Sequence, residues 1–126
     1  MRTFFAVGLG GAIGSMARYA VGSLLGRREG WDYWMATMAV NVTGALALGI
    51  LVGFFGDHVT DNSAVRTGLT VGLLGGYTTF STWMVESMDL VGTGRIGAGV
   101  VNVVVAVVAG LAAAIAGLAI GRTLAV

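Results

Sequence analysis

The stretch Gly75-Gly76-Tyr77-Thr78-Thr79-Phe80-Ser81-Thr82-Trp83 gathers the residue types in this chain that can handle an ion. Adjacent glycines weaken a helix, each by about 1 kcal/mol relative to alanine. The hydroxyls of Thr78, Thr79, Ser81 and Thr82 offer the backbone competing hydrogen bonds. Because apolar sequence surrounds the stretch, a helix broken near Gly75 is expected, with backbone carbonyls released at membrane depth. Irregular backbone there is tolerated only where protein covers it or where it lines a cavity, and transporters use such breaks to hold ions. Phe80 and Trp83 lie three apart and share a helix face. Such pairs ordinarily pack in a core. Yet the positive edge of an aromatic ring can also solvate an anion without trapping it, and conduction requires that the ion be able to leave. Thr79, Thr82 and Glu86 fall on another face at spacings of three and four, as a hydroxyl track ending in a carboxylate would.

Two residues outside this stretch carry chemistry of the same kind. Asn41, in Met38-Ala39-Val40-Asn41-Val42-Thr43-Gly44, offers two N–H donors and a carbonyl. It suits partial replacement of an anion's hydration shell, and it equally suits an interhelical hydrogen bond; both readings stand at this point. Thr37 and Thr43 are weaker candidates. Arg18 sits towards the far end of the first apolar run. An intramembrane charge is a functional hypothesis by default: either it attracts anions at a vestibule, or it snorkels and pairs, with Glu86 or Asp89 as partners. Asn102 reads as structural, and His58 is assigned no role.

The elements that must position these groups follow from composition. The chain has 126 residues, 56% hydrophobic and 10% charged, with a mean hydropathy of +0.89. That combination reads as a polytopic all-α membrane protein. At about 20 residues per span, four helices are expected over 3–25, 33–56, 65–90 and 96–121, with the third broken mid-membrane, in a single domain. The connections are short and polar, and Trp31, Tyr33 and Trp34 form an interfacial aromatic cluster where the second span begins. The N-terminal apolar run superficially resembles a signal peptide. It is longer than an h-region, contains Arg18 and lacks a small-residue cleavage site, so a retained span is expected. Small residues recur four apart at Gly10/Gly14, Gly49/Gly53, Ala106/Gly110 and Gly117/Gly121, which allows close helix approach and includes contacts between chains among its expected uses. Without proline, any helix break must come from glycine.

Several function classes are excluded. Acidic and basic residues nearly cancel, 6 against 7, so there is no nucleic-acid footprint. Cysteine is absent, and with it disulfides and thiolate metal sites. No nucleophile–base pair, carboxylate dyad or phosphate loop is present, and an enzyme is not expected. Gly8-Leu9-Gly10-Gly11-Ala12-Ile13-Gly14 is glycine-rich but follows no strand, so a nucleotide site fails. With four spans, Arg2, Arg66 and Arg122 fall on one side of the membrane and Arg27, Arg28 and Arg95 on the other. Orientation normally follows an excess of Lys and Arg in cytoplasmic loops, and here there is none. Insertion in both orientations, with pairing as an antiparallel dimer, is the expectation.

Three motifs carry a family resemblance. Gly10-Gly11-Ala12-Ile13-Gly14-Ser15-Met16-Ala17-Arg18-Tyr19, Asn41-Val42-Thr43-Gly44-Ala45-Leu46-Ala47-Leu48-Gly49 and Gly72-Leu73-Leu74-Gly75-Gly76-Tyr77-Thr78-Thr79-Phe80-Ser81-Thr82 together resemble the Fluc (CrcB-type) fluoride channel family, over essentially the whole chain. The resemblance implies an antiparallel, dual-topology homodimer in the cell membrane that passes fluoride passively, lowering cytoplasmic fluoride. It also implies a structural, non-transported Na⁺ at the dimer centre, held by the carbonyls of Gly75 and Thr78 from both subunits. By motif position Asn41 is the pore asparagine, Phe80 the first pore phenylalanine and Arg18 the vestibule arginine; Thr79 and Thr82 join the anion path. Two positions depart from the pattern: Trp83 stands where a second phenylalanine is common, and Ala106 where a hydroxyl is. The rivals are a small dual-topology exporter of cationic drugs, which relies on a carboxylate in its first span that this chain lacks, and a non-conducting subunit of a heteromeric channel.

Overall fold

The computed structural model describes residues 1–56 and 63–125, and all regular structure among them is helical. Of the connection expected over Asp57–Ser63, residues 57–62, His58 among them, lie outside the described residues. In chain order come α1 (Arg2–Leu25), α2 (Tyr33–Phe55), α3 (Ala64–Thr67), a π-helical segment (Gly68–Leu74), α4 (Gly75–Tyr77), α5 (Phe80–Gly92) and α6 (Ile96–Leu124). By length and composition α1, α2 and α6 can each cross a membrane. The remaining apolar stretch is divided among four shorter elements.

Glycines decide how the elements meet. A Cβ on Gly49 would lie 3.1 Å from the Cα of Gly117, and one on Gly53 3.1 Å from that of Gly121. Here α2 and α6 run nearly backbone to backbone, which maximises dispersion contacts where lipid leaves no hydrophobic drive between helices. α1 packs in the same way on the π segment and α4: a Cβ on Gly72 would lie 3.0 Å from Val7 Cα, and one on Gly76 3.0 Å from Gly11 Cα. The Ala106/Gly110 pair behaves differently. Gly110 has no atom within 4 Å of its Cβ position, and together with Ala106 it lines a cavity.

The buried apolar core is small, with Trp34, Ala36, Val40, Leu74 and Leu90, while Phe4, Phe5, Leu9, Ile13, Phe80, Leu111 and Ile115 are exposed. Apolar side chains turned outward are stable where the solvent is hydrocarbon. One end of the bundle is tied by polar groups. Asp32 stands just before α2 and pairs with Arg95, from the turn before α6. The Trp34 indole donates to Asp32 Oδ2 at 3.1 Å, and the Tyr33 hydroxyl donates to Asp89 Oδ2 at 2.6 Å. The Arg95 guanidinium, helped by the Trp34 N–H, holds the Asp32 carboxyl below the usual carboxylate range.

Candidate functional site

Gly75 is helical, with φ −65° and ψ −35°. The chain leaves helical geometry three residues later, at Thr78 (φ −81°, ψ 158°) and Thr79 (φ −149°, ψ 121°). The expected position near Gly75 is thus corrected, and the cause is hydroxyl and amide chemistry rather than glycine. Thr79 N-caps α5, its Oγ1 accepting the Thr82 N–H at 3.3 Å. Asn41 grips the same residue from α2: Asn41 Oδ1 accepts the Thr79 N–H at 2.8 Å, and Asn41 Nδ2 donates to the Thr79 carbonyl at 2.9 Å. Upstream, the π segment widens the turn, as such segments commonly do near functional sites.

These bonds redirect two backbone donors. In an unbroken helix the Thr79 N–H would serve the Gly75 carbonyl and the Thr82 N–H the Thr78 carbonyl. Here the first goes to Asn41 and the second to the Thr79 side chain. The carbonyls of Gly75 and Thr78 therefore lose their helical donors, and Gly75 is exposed with nothing within 4 Å of its Cβ position. Neutral carbonyl oxygens released from a helix are the donor type that hard cations take. This oxygen pair fits a cation such as Na⁺, but two oxygens are fewer than the six or so a hard cation gathers, so one copy alone leaves the shell incomplete.

Two cavities meet at the break. The larger, about 520 Å³, is lined by Asn41, Gly75, Thr78, Phe80, Trp83 and Ala106 among others. Phe80 and Trp83 stand edge to face there, with ring centroids 5.7 Å apart and planes at 70°. The smaller, about 290 Å³, is lined by Ser15, Arg18, Tyr19, Thr37, Thr79 and Thr82 with apolar neighbours. It presents one permanent cation to five hydroxyls. Thr79 belongs to both cavities, and its Oγ1 donates to Thr82 Oγ1 at 3.0 Å. Asn41, Gly75, Thr78, Phe80 and Trp83 thus line one cavity and Arg18 and Thr82 the other, with Thr79 between them.

Other contacts were not legible beforehand. Arg18 bonds neither Glu86 nor Asp89; Glu86 Oε1 instead accepts from Thr37 at 2.9 Å, and Asp89 from Tyr33. Thr43 Oγ1 lies 3.0 Å from the Tyr77 hydroxyl, bracing α2 against α4. The Trp83 indole N–H is given to the Asn102 main-chain carbonyl at 3.3 Å. No local signal marks such partners, because each pair is far apart in sequence.

The family model for the CrcB-like protein, Camphor Resistance (CrcB), matches residues 5–118. The chain belongs to the CrcB-like family. A CrcB-like relative from Nitrobacter hamburgensis, named fluoride-specific ion channel FluC 1, is 41% identical over 119 residues, 94% of each chain. One from Rhodospirillum centenum, named fluoride-specific ion channel FluC, is 43% identical over 124 residues, 98% of each. Another with that name, from Paracoccus denitrificans, is 42% identical over 122 residues, covering 97% of this chain and 96% of the relative. With its long apolar helices, this CrcB-like chain is a multi-pass protein of the cell membrane.

Proposed function

We propose that the chain forms a fluoride channel that lets the ion leave the cytoplasm passively, built as an antiparallel homodimer of two four-span subunits around one structural, non-transported Na⁺. The observation that carries this reading is the break at Thr78–Thr79, pinned by Asn41 and flanked by a cavity on each side; the names of the relatives supply the ion. The third span, on this reading, is the composite of α3, the π segment, α4 and α5, interrupted within the membrane.

Arg18 attracts the anion into the smaller cavity, where the Thr82 hydroxyl takes over from hydration water, joined by those of Ser15, Thr37 and Thr79 once their protons swing from Gly76, Glu86 and Thr82 to the ion. Fluoride is small, binds water tightly and accepts strong hydrogen bonds, so closely placed donors favour it over chloride. Passing Thr79, the ion meets the remaining N–H of Asn41 and the ring edges of Phe80 and Trp83, which hold it weakly enough for exit. The Gly75 and Thr78 carbonyls hold Na⁺ with the same pair from the second copy, which completes the oxygen shell and supplies cross-subunit cohesion. The equal arginines at the two ends, three on each side, support insertion in both orientations.

Purified protein in liposomes should release trapped fluoride and retain chloride when valinomycin balances the charge. Vesicles that keep their fluoride would end the channel reading. Replacing Na⁺ by a large organic cation should lower the melting temperature of the dimer, since a ligand bound only to the folded state stabilises it by mass action; an unchanged melt removes the sodium. A cysteine placed at Gly94 should label from both sides of the membrane, and one-sided labelling would exclude dual topology.

A further inference from the structure

Behind the larger cavity, α5 and α6 share a closed set of hydrogen bonds that the channel reading does not use. Ser87 Oγ donates to the Trp83 main-chain carbonyl at 2.7 Å, Asn102 Nδ2 donates to Ser87 Oγ at 3.0 Å, and the Trp83 indole donates to the Asn102 main-chain carbonyl at 3.3 Å. Ser87 is 5% exposed and Asn102 is fully buried. Gly99 lets the helices close here, since a Cβ on it would lie 3.0 Å from the Ser87 carbonyl. The loop begins and ends on Trp83, which lines the cavity, whereas Asn102 and Ser87 do not.

We infer that Ser87 and Asn102 are positioning residues: their side-chain bond clamps α6 to α5, so that the Asn102 main-chain carbonyl holds the Trp83 indole with its N–H turned out of the larger cavity and only its C–H edges meet the passing ion. An indole free to rotate would present a full N–H donor to the anion path. A donor of that strength traps an anion rather than passing it, and it also offers chloride a binding site, whereas weak multi-site binding is what conduction needs. The tie also explains how the larger ring is accommodated: Ala106 and Gly110 leave space on the α6 wall while the indole is held back towards Asn102. A purely structural interhelical bond would not need to end on the indole.

The positioning itself is read without transport. In protein labelled with ¹⁵N at its tryptophan indoles, the Trp83 N–H signal, assigned by its loss in Trp83→Phe, should exchange slowly with solvent. The double variant Ser87→Ala/Asn102→Leu removes both ends of the side-chain clamp together, so neither is left unpaired; the main-chain carbonyl at 102 stays, no longer clamped against the indole. In it, Trp83 exchange should speed up by about tenfold or more, the factor carried by one neutral hydrogen bond. If the double variant does not fold, Ser87→Ala alone, which preserves the bulk of Asn102, repeats the measurement. Unchanged exchange overturns the positioning role.

The effect on permeation rests on the channel reading and is measured separately. Liposome fluoride flux should fall about tenfold in the double variant, with chloride leak rising. The same double change made in a Trp83→Phe background should alter neither relative to that background, because no indole remains to be held. An equal loss in both backgrounds means that the pair acts only by packing and overturns the inference. Absence of flux in the unaltered protein would instead sink the channel reading, and the indole exchange would still decide the anchor.

Discussion

Replacing Asn41 by aspartate tests charge and architecture together. The new carboxyl keeps an oxygen where Oδ1 now accepts the Thr79 N–H at 2.8 Å, so that half of the clamp survives. Its second oxygen stands where Nδ2 now lies 2.9 Å from the Thr79 carbonyl, turning an attraction into a repulsion whenever the group is ionised. The same oxygen faces the larger cavity. An anion about 6 Å away, at an effective dielectric of about 20, feels roughly 2.8 kcal/mol of repulsion. At about 1.4 kcal/mol per factor of ten, that is about a hundredfold fall in occupancy. Liposome fluoride efflux at neutral pH should therefore drop by about two orders of magnitude on this arithmetic. In mild acid the protonated carboxyl donates to the Thr79 carbonyl as the amide did, and flux should return. Protein-free vesicles supply the correction for hydrogen fluoride, which crosses lipid unaided as the pH falls. Undiminished flux at neutral pH would take Asn41 out of the permeation path. Lost flux that acid does not restore would show that the damage is structural and that the electrostatic reasoning is wrong.

Gly49→Val should destabilise the fold by about 1–3 kcal/mol or more through overpacking, since its Cβ has Gly117 Cα and Leu118 N only 3.1 Å away; Gly110→Ala, with open space, should leave the melt in detergent unchanged. Thr79→Val removes the α5 cap and should cost about 0.5–2 kcal/mol in denaturant titrations, while Thr79→Ser should keep most of it; equal losses in both would argue against capping. Asp32 has a folded-state pKa below its unfolded value, because Arg95 and Trp34 bond its ionised form. Its contribution is therefore present above the ordinary carboxylate value of about 3.9 and is lost as the pH falls below it, through the folded value. Acid titration followed by tryptophan fluorescence should show that component, and Asp32→Asn should remove it.

The long apolar runs made α1, α2 and α6 legible, because hydrocarbon-length helices need nothing but composition to be recognised. The ion-handling stretch was legible too, as too many hydroxyls in too apolar a setting. Its exact geometry was not. Glycine was expected to break the helix, but Gly75 and Gly76 stay helical, Gly76 packed against Gly11 of α1, and the interruption falls where Asn41, far off in sequence, can grip Thr79. The π segment has no local signature either; it lies on the α1 contact where Gly68 and Gly72 bring two backbones together. Most of the small-residue pairs serve contacts within the chain, as Gly49 with Gly117 and Gly53 with Gly121 show. Partner choice of that kind is a tertiary property, as is the loss of the Trp83 donor to Asn102.

The interruption at Thr78–Thr79 has an electrostatic consequence. A helix carries about half a positive charge at its amino end and half a negative charge at its carboxyl end. Splitting one span in two places a carboxyl end, closing on Tyr77, back to back with an amino end, opening on Phe80. The first favours a cation beside Gly75 and Thr78, and the second favours an anion beside Phe80 and Thr82. One cut thus creates a pair of opposite fixed poles without an ionisable side chain at that depth. Such poles neither titrate nor incur the burial cost of a formal charge, so their attraction for ions is the same at every pH at which the fold survives.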